Sequence, residues 1–254
     1  MSMAHHPASG ISKAASLGMA VCLMGNAASA RIQPQMQTGS MFPAKPKVVD
    51  PARVARIEHA TASCIYSRHR DLVDRLLASS DPVTMDCDSI GKGRDGAVEK
   101  LELASCLGKQ VQPDETQVEL KAAVASLRFL FAEAAYLARF GRAAINSALP
   151  PNSPERRYVS TGDDLARARA FTALADCVVA RDRAGADALL RTEGETPAEM
   201  QAARNLAPGL ATCLTGGETF HLNAVAMRRI ASEGLWGRYV AALRPFADGT
   251  GTAH

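Results

Sequence analysis

The chain has 254 residues, of which 47% are hydrophobic, 22% charged and 5% aromatic, and 29 basic against 26 acidic side chains give a net charge of +3. That composition excludes a wholly disordered chain and a polytopic membrane protein, and so even a charge balance excludes a dedicated nucleic-acid binder. The length suits one large domain or two small ones.

At the N-terminus Lys13 precedes an uncharged run over 14–25, and Ala28, Ser29 and Ala30 place small residues where a signal peptidase reads. This pattern predicts a secretory signal, 1–30, cleaved after Ala30. The run falls short of the roughly 20 apolar residues a membrane anchor needs. Val21 before Cys22 argues against a lipid anchor, since lipoprotein signals carry a small residue there. Cleavage removes Lys13 and Cys22 and leaves a 224-residue chain of net charge +2 with five cysteines. The expected location is periplasmic or secreted, where cysteines read first as disulfide partners.

Residues 31–50 carry three prolines and no helical period and read as a flexible leader. Beyond them helical spacing dominates, and no convincing alternating strand is found. A first helical repeat, 51–145, is expected to hold helices over Pro51–Arg68, Asp71–Ser79 and Gly96–Leu107, with a fourth after Pro113 and Asp114. The fourth carries an apolar stripe of Leu120, Val124, Leu127, Phe131, Ala134 and Leu137. Lys121, Arg128 and Glu133 interrupt it, so it is not a membrane span. A linker, 146–162, leads to a second repeat, 163–245, with helices over Asp163–Arg181, Ala184–Thr192, Pro197–Leu214 and Thr219–Leu243. A disordered tail, 246–254, closes the chain.

The division into repeats rests on overlaying the two halves. Cys64–Leu77 lies over Cys177–Leu190 without a gap, and Cys64/Cys177, Arg68/Arg181, Arg70/Arg183, Asp74/Asp187, Leu76/Leu189 and Leu77/Leu190 are identical. Leu103–Leu107 lies over Leu210–Leu214, which sets Cys106 over Cys213. Arg128/Arg228 and Glu133/Glu233 then match, and an aromatic residue, Tyr136 or Trp236, follows each glutamate by three. The fold class expected is all-α: two tandem disulfide-stapled bundles of about four helices each, related by internal duplication. The overlay pairs Cys64 with Cys106 and Cys177 with Cys213, each bridge stabilising by about 3–4 kcal/mol through the loop it closes. Cys87 has no counterpart and reads as a free thiol, with an intermolecular bridge and hence a homodimer as the sharper alternative.

Chemistry is sparse. Gly91, Gly93 and Gly96 match the G-x-G-x-x-G spacing ahead of a helix, but the preceding residues make a poor strand and the second repeat lacks the loop. No cofactor is expected. No C-x-x-C, H-E-x-x-H or acidic metal loop occurs, so no metal site is expected, and His59, His69, His221 and His254 read as solvated surface residues. No G-x-S-x-G elbow is present, and the pairs Arg156–Arg157 and Arg228–Arg229 are too isolated to track a nucleic acid.

The polar residues common to both repeats (Arg68, Arg181, Arg70, Arg183, Asp74, Asp187, Arg128, Arg228, Glu133 and Glu233) allow two readings. They line a cleft that holds an anion or does acid–base work, or they are structural. The structural reading places Arg68 and Arg181 against helix C-terminal carbonyls and pairs Asp74 and Asp187 with the arginines four residues earlier. It gives Glu133 and Glu233 an arginine from a neighbouring helix, because unpaired buried charge is costly. It predicts that the arginines contact the fourth helix of their own repeat.

At Cys177–Leu190, Leu210–Leu214 and Arg228–Trp236 the sequence resembles a group of small exported bacterial all-helical proteins with no assigned activity. The resemblance covers both repeats and implies no catalytic residues; Cys87 and the longer 80–96 segment depart from it. The function expected is a non-catalytic envelope module that binds a protein or peptide through grooves between helices. The alternative is an envelope-polymer hydrolase or lyase with Glu133 or Glu233 as general acid or base, which requires one of them in a cleft with its pKa raised by burial. A minor third reading is thiol chemistry at Cys87.

Overall fold

The computed structural model describes residues 50–91, 93–111, 124–141, 156–214 and 222–241. The expected signal at 1–30, the leader to residue 49, the linker up to residue 155, the start of the first repeat's fourth helix, the last residues of the second repeat's, the tail, His221 and His254 all lie outside the described residues.

Among the described residues there are nine α-helices and no strand. In chain order they are α1 (Pro51–Arg68), α2 (Arg70–Ser79), α3 (Gly93–Lys100), α4 (Leu103–Gly108), α5 (Val124–Phe140), α6 (Gly162–Arg181), α7 (Arg183–Leu190), α8 (Pro197–Ala211) and α9 (Ala224–Leu235). A 3₁₀ turn at Cys87–Ser89 precedes α3, and a π-helical turn at Trp236–Val240 extends α9.

Local chemistry sets most boundaries. Asp50 caps α1 by accepting the Ala52 N–H, with Pro51 at the first helical position. A single non-helical residue, His69, separates α1 from α2, and Asp182 does the same between α6 and α7, where its carboxylate accepts the Gly185 N–H. Thr196 and Pro197 open α8, and Asn223 opens α9 by accepting the Ala226 N–H.

The third helix of the first repeat, expected to run unbroken over Gly96–Leu107, is two helices. The chain breaks at Leu101 and Glu102, and Glu102 takes a left-handed conformation with φ of 49°. Arg68, at the end of α1, holds Glu102 at 2.5 Å and donates to Ser105 Oγ at 3.0 Å. Glu102 thus holds a positive φ, which residues other than glycine ordinarily avoid, at the point where it faces the end of α1.

Cys64–Cys106 ties α1 to α4 across 5.7 Å between Cα atoms, and Cys177–Cys213 ties α6 to the turn after α8 across 5.8 Å. Both pairs are the expected ones. The apolar side chains of the two halves do not form separate cores: Ile65, Leu76, Leu77 and Phe131 belong to one buried cluster with Val178, Leu189, Leu206 and Ile230. Helices α5 and α9 meet at its centre, α5 also covering α1 and α9 covering α6 and α7. No described helix is long and apolar enough to cross a membrane.

Candidate functional site

Arg128 and Glu133 on α5, and Arg228 and Glu233 on α9, are all buried. Within one helix an i, i+5 spacing turns the two side chains about 140° apart, so an arginine cannot reach the glutamate that follows it. The pairs form across the α5–α9 contact instead. Arg128 donates from Nε to Glu233 Oε2 at 3.1 Å and from Nη2 to Oε1 at 3.0 Å. Arg228 donates from Nε to Glu133 Oε2 at 2.8 Å and from Nη2 to Oε1 at 2.7 Å. Both are bidentate forks using the same atoms.

The remaining guanidinium protons close helix ends. Arg128 Nη1 donates to the Leu77 carbonyl in the last turn of α2 at 2.8 Å and to the Ser80 carbonyl just after it at 3.1 Å. Arg228 donates to the carbonyls of Leu190, the last residue of α7, and of Thr192 just after it, both at 3.0 Å. Last-turn carbonyls have no partner within a helix, and a cation there also meets the negative end of the helix dipole. The expectation that arginines reach the fourth helix of their own half is met by Arg183, which donates to Tyr239 beyond α9, and not by Arg68, which meets α4; Arg128 and Arg228, themselves on α5 and α9, reach α2 and α7 and pair with each other's helix.

Each glutamate has a further nitrogen partner. His59 Nδ1, on α1, lies 3.1 Å from Glu133 Oε1, and Arg156 pairs with Glu233 Oε1 from the segment ahead of α6. Burial alone would push both carboxyls up, but His59 and Arg228 outweigh it at Glu133, and Arg128 and Arg156 do so at Glu233. Both are held below the usual carboxylate range. The requirement for a general acid, a glutamate in a cleft with a raised pKa, is met by neither.

The expectation that the histidines are solvated fails for the two described. The His59 side chain is only 25% exposed, and His69 Nε2 lies 3.5 Å from Glu102 at the α1–α4 contact. Packing of α1 against α5 and α4 draws both inward. Glu199 joins the Glu133 side: its Oε1 accepts from Arg228 Nη1 at 3.1 Å, and its Oε2 accepts the Glu195 N–H at 2.8 Å. Sequence reasoning passed over His59, Arg156 and Glu199 as site residues. Only Glu199 carries a local signal, the Thr196-x-x-Glu199 capping spacing, in which Thr196 Oγ accepts the Glu199 N–H.

The other repeat-matched residues have local roles. Asp74 accepts from the Tyr66 hydroxyl at 3.2 Å, and Asp187 accepts from the Tyr136 hydroxyl at 2.6 Å and from Arg191 at 2.8 Å. Burial and Asp187 together push the Tyr136 hydroxyl well up, so it stays protonated as a donor. Arg70 lies over the Tyr66 ring, Arg183 donates to the Tyr239 hydroxyl at 3.3 Å, and Arg181 is exposed. Arg68 meets Glu102 and Ser105 rather than the carbonyls expected for it.

Two loops complete the description. Asp88 accepts the Gly93 N–H at 2.7 Å, so the start of α3 already holds a carboxylate of its own chain, and no described strand precedes the glycine-rich loop. Asp81, buried after α2, accepts the N–H groups of Val83, Thr84, Val159 and Ser160 and the Ser160 hydroxyl, all within 2.9 Å. It fastens the segment entering α6 to the end of α2. Cys87 is a free, half-buried thiol, and burial first, with Asp86 and Asp88 nearby, pushes its pKa up. Among the described residues no cluster of His, Cys, Asp and Glu could hold a metal ion. Comparison with protein-family models, with curated proteins and with solved structures gives no match.

Proposed function

We propose that the chain is an exported, disulfide-stapled helical module that binds a protein or peptide partner and does no chemistry of its own. The observation that carries this reading is the engagement of Glu133 and Glu233: the two carboxylates best suited to acid–base work are locked in bidentate pairs with Arg228 and Arg128. Two disulfides suit an oxidising compartment, which agrees with the secretory signal read at 1–30. We also infer that the halves arose by internal duplication. The exchange of partners between Arg128–Glu233 and Arg228–Glu133 supports it, as does the use of equivalent carbonyls, Leu77 and Leu190.

Expression with the native N-terminus tests export and partner binding together. The expected product begins at Arg31, carries bridges 64–106 and 177–213, and gives discrete adducts with an envelope polypeptide from photocrosslinkers placed singly along exposed positions of α6 and α8. An uncleaved chain with free thiols at all four positions would contradict export. Turnover of an envelope polymer that E133Q and E233Q abolish while the fold survives would contradict the non-catalytic reading.

A further inference from the structure

The two buried glutamates draw their second nitrogen partner from different sources. Glu133 takes His59 from within the helical frame, five residues before Cys64. Five residues before Cys177 stands Thr172, which brings no charge and whose buried hydroxyl has no hydrogen-bond partner. Glu233 takes Arg156, which arrives on the non-helical segment 156–161.

The surroundings of that guanidinium form a recognition site. Arg156 Nη1 meets the Glu233 carboxylate, Nη2 donates to the Glu233 carbonyl at 3.2 Å, and the guanidinium carbon lies 5.2 Å from the Trp236 ring centre. Gly237 supplies the space, since a Cβ there would collide with the Arg156 Nη2. A carboxylate, an aromatic face, a carbonyl and a glycine floor are what a planar, delocalised cation requires. Arg156 fits incompletely, because its Nε is buried with no hydrogen-bond partner. Its departure would not strand a buried charge, because Arg128 keeps its own fork on Glu233. Asp81 would keep the segment attached through Val159 and Ser160.

We propose that Glu233, Trp236 and Gly237 form a guanidinium-binding site that Arg156 fills in cis, and that its ligand in trans is an arginine side chain of a partner polypeptide. The choice of ligand rests on the partner-binding reading above. Lysine is discriminated against, because an ammonium offers a point charge in place of a fork and stacks poorly on an indole.

Trp236 is the sole tryptophan of the chain, so its fluorescence reports on this site. The disulfide-bonded full chain and its R156A variant are titrated with acetyl-Gly-Arg-Gly-amide and with the lysine counterpart. The arginine peptide is expected to give a saturable change with both proteins, about tenfold tighter or more with R156A because the internal competitor is gone. The lysine peptide is expected to bind R156A about tenfold more weakly or worse. If R156A loses its helical signal or its bridges, R156K, which keeps the charge without the fork, is titrated in its place and is expected to show the same preference. A full chain that ignores the arginine peptide at millimolar concentration would overturn the proposal, making Arg156 a fixed strut. Equal affinity for the two peptides would overturn it as well. Either failure leaves the partner-binding reading to its crosslinking test.

Discussion

A carboxylate taken out of water stays ionised only if cations and donors replace the lost hydration, and Glu133 and Glu233 have each obtained such a set. Removing a carboxylate therefore strands an arginine: E233A should cost about 3–5 kcal/mol in urea unfolding, far more than loss of an exposed pair such as Arg56–Glu193. Asp81 belongs with them. Burial would raise it, but the donors Ser160, Thr84 and Val83 outweigh burial and hold its carboxyl low. For Asp81, Glu133 and Glu233 the folded-state pKa lies below the unfolded value of about 4, so protonation favours the unfolded chain. Their contribution is complete above about pH 5 and is lost as pH falls through the folded-state values. Denaturation at a series of pH values should show this acid-side loss, shallower in D81N, and a stability unchanged between pH 6 and 3 would contradict it. The identities of the paired residues were legible in the sequence because they recur in both halves. Their pairing was not, since a matched arginine and glutamate do not reveal which helix each faces. His59 and Arg156 left no trace at all, because their partners lie far along the chain.

Helices were legible where local chemistry decides them. Pro51 at the start of α1, Pro197 at the start of α8 and the apolar stripe of α5 have local causes, and these elements stand close to where periodicity places them. The break between α3 and α4 falls at Glu102, which faces Arg68 of α1, and no local pattern encodes it. Helix spacing has a similar non-local control at Gly234. A Cβ there would collide with the Ala175 carbonyl oxygen and meet Val179 Cγ2 at 2.6 Å, so the α9 backbone lies directly against the α6 backbone. G234A should lower stability by about 1–3 kcal/mol through overpacking, read as a fall in melting temperature with the helical content retained. Position 134 on α5, one residue after Glu133, is alanine where α9 carries Gly234.

At the scale of the molecule, the described residues form one core across both halves of the chain, with α5 and α9 exchanging their charges at its centre. The disulfides each hold a long helix to a later helix or turn of its own half, with Cys106 inside the core and Cys64 and Cys213 packed against it. Replacing Cys177 and Cys213 by serine should cost about 3–4 kcal/mol, checked by urea unfolding beside the wild type, whereas C87S should change little. The central claim, that the buried charges lock one half to the other, is tested most directly by double-mutant cycles in urea unfolding with R128M, E133Q and E233Q. The account predicts a coupling of about 2 kcal/mol or more between Arg128 and Glu233 and close to none between Arg128 and Glu133. Strong coupling within α5 and none across to α9 would contradict it.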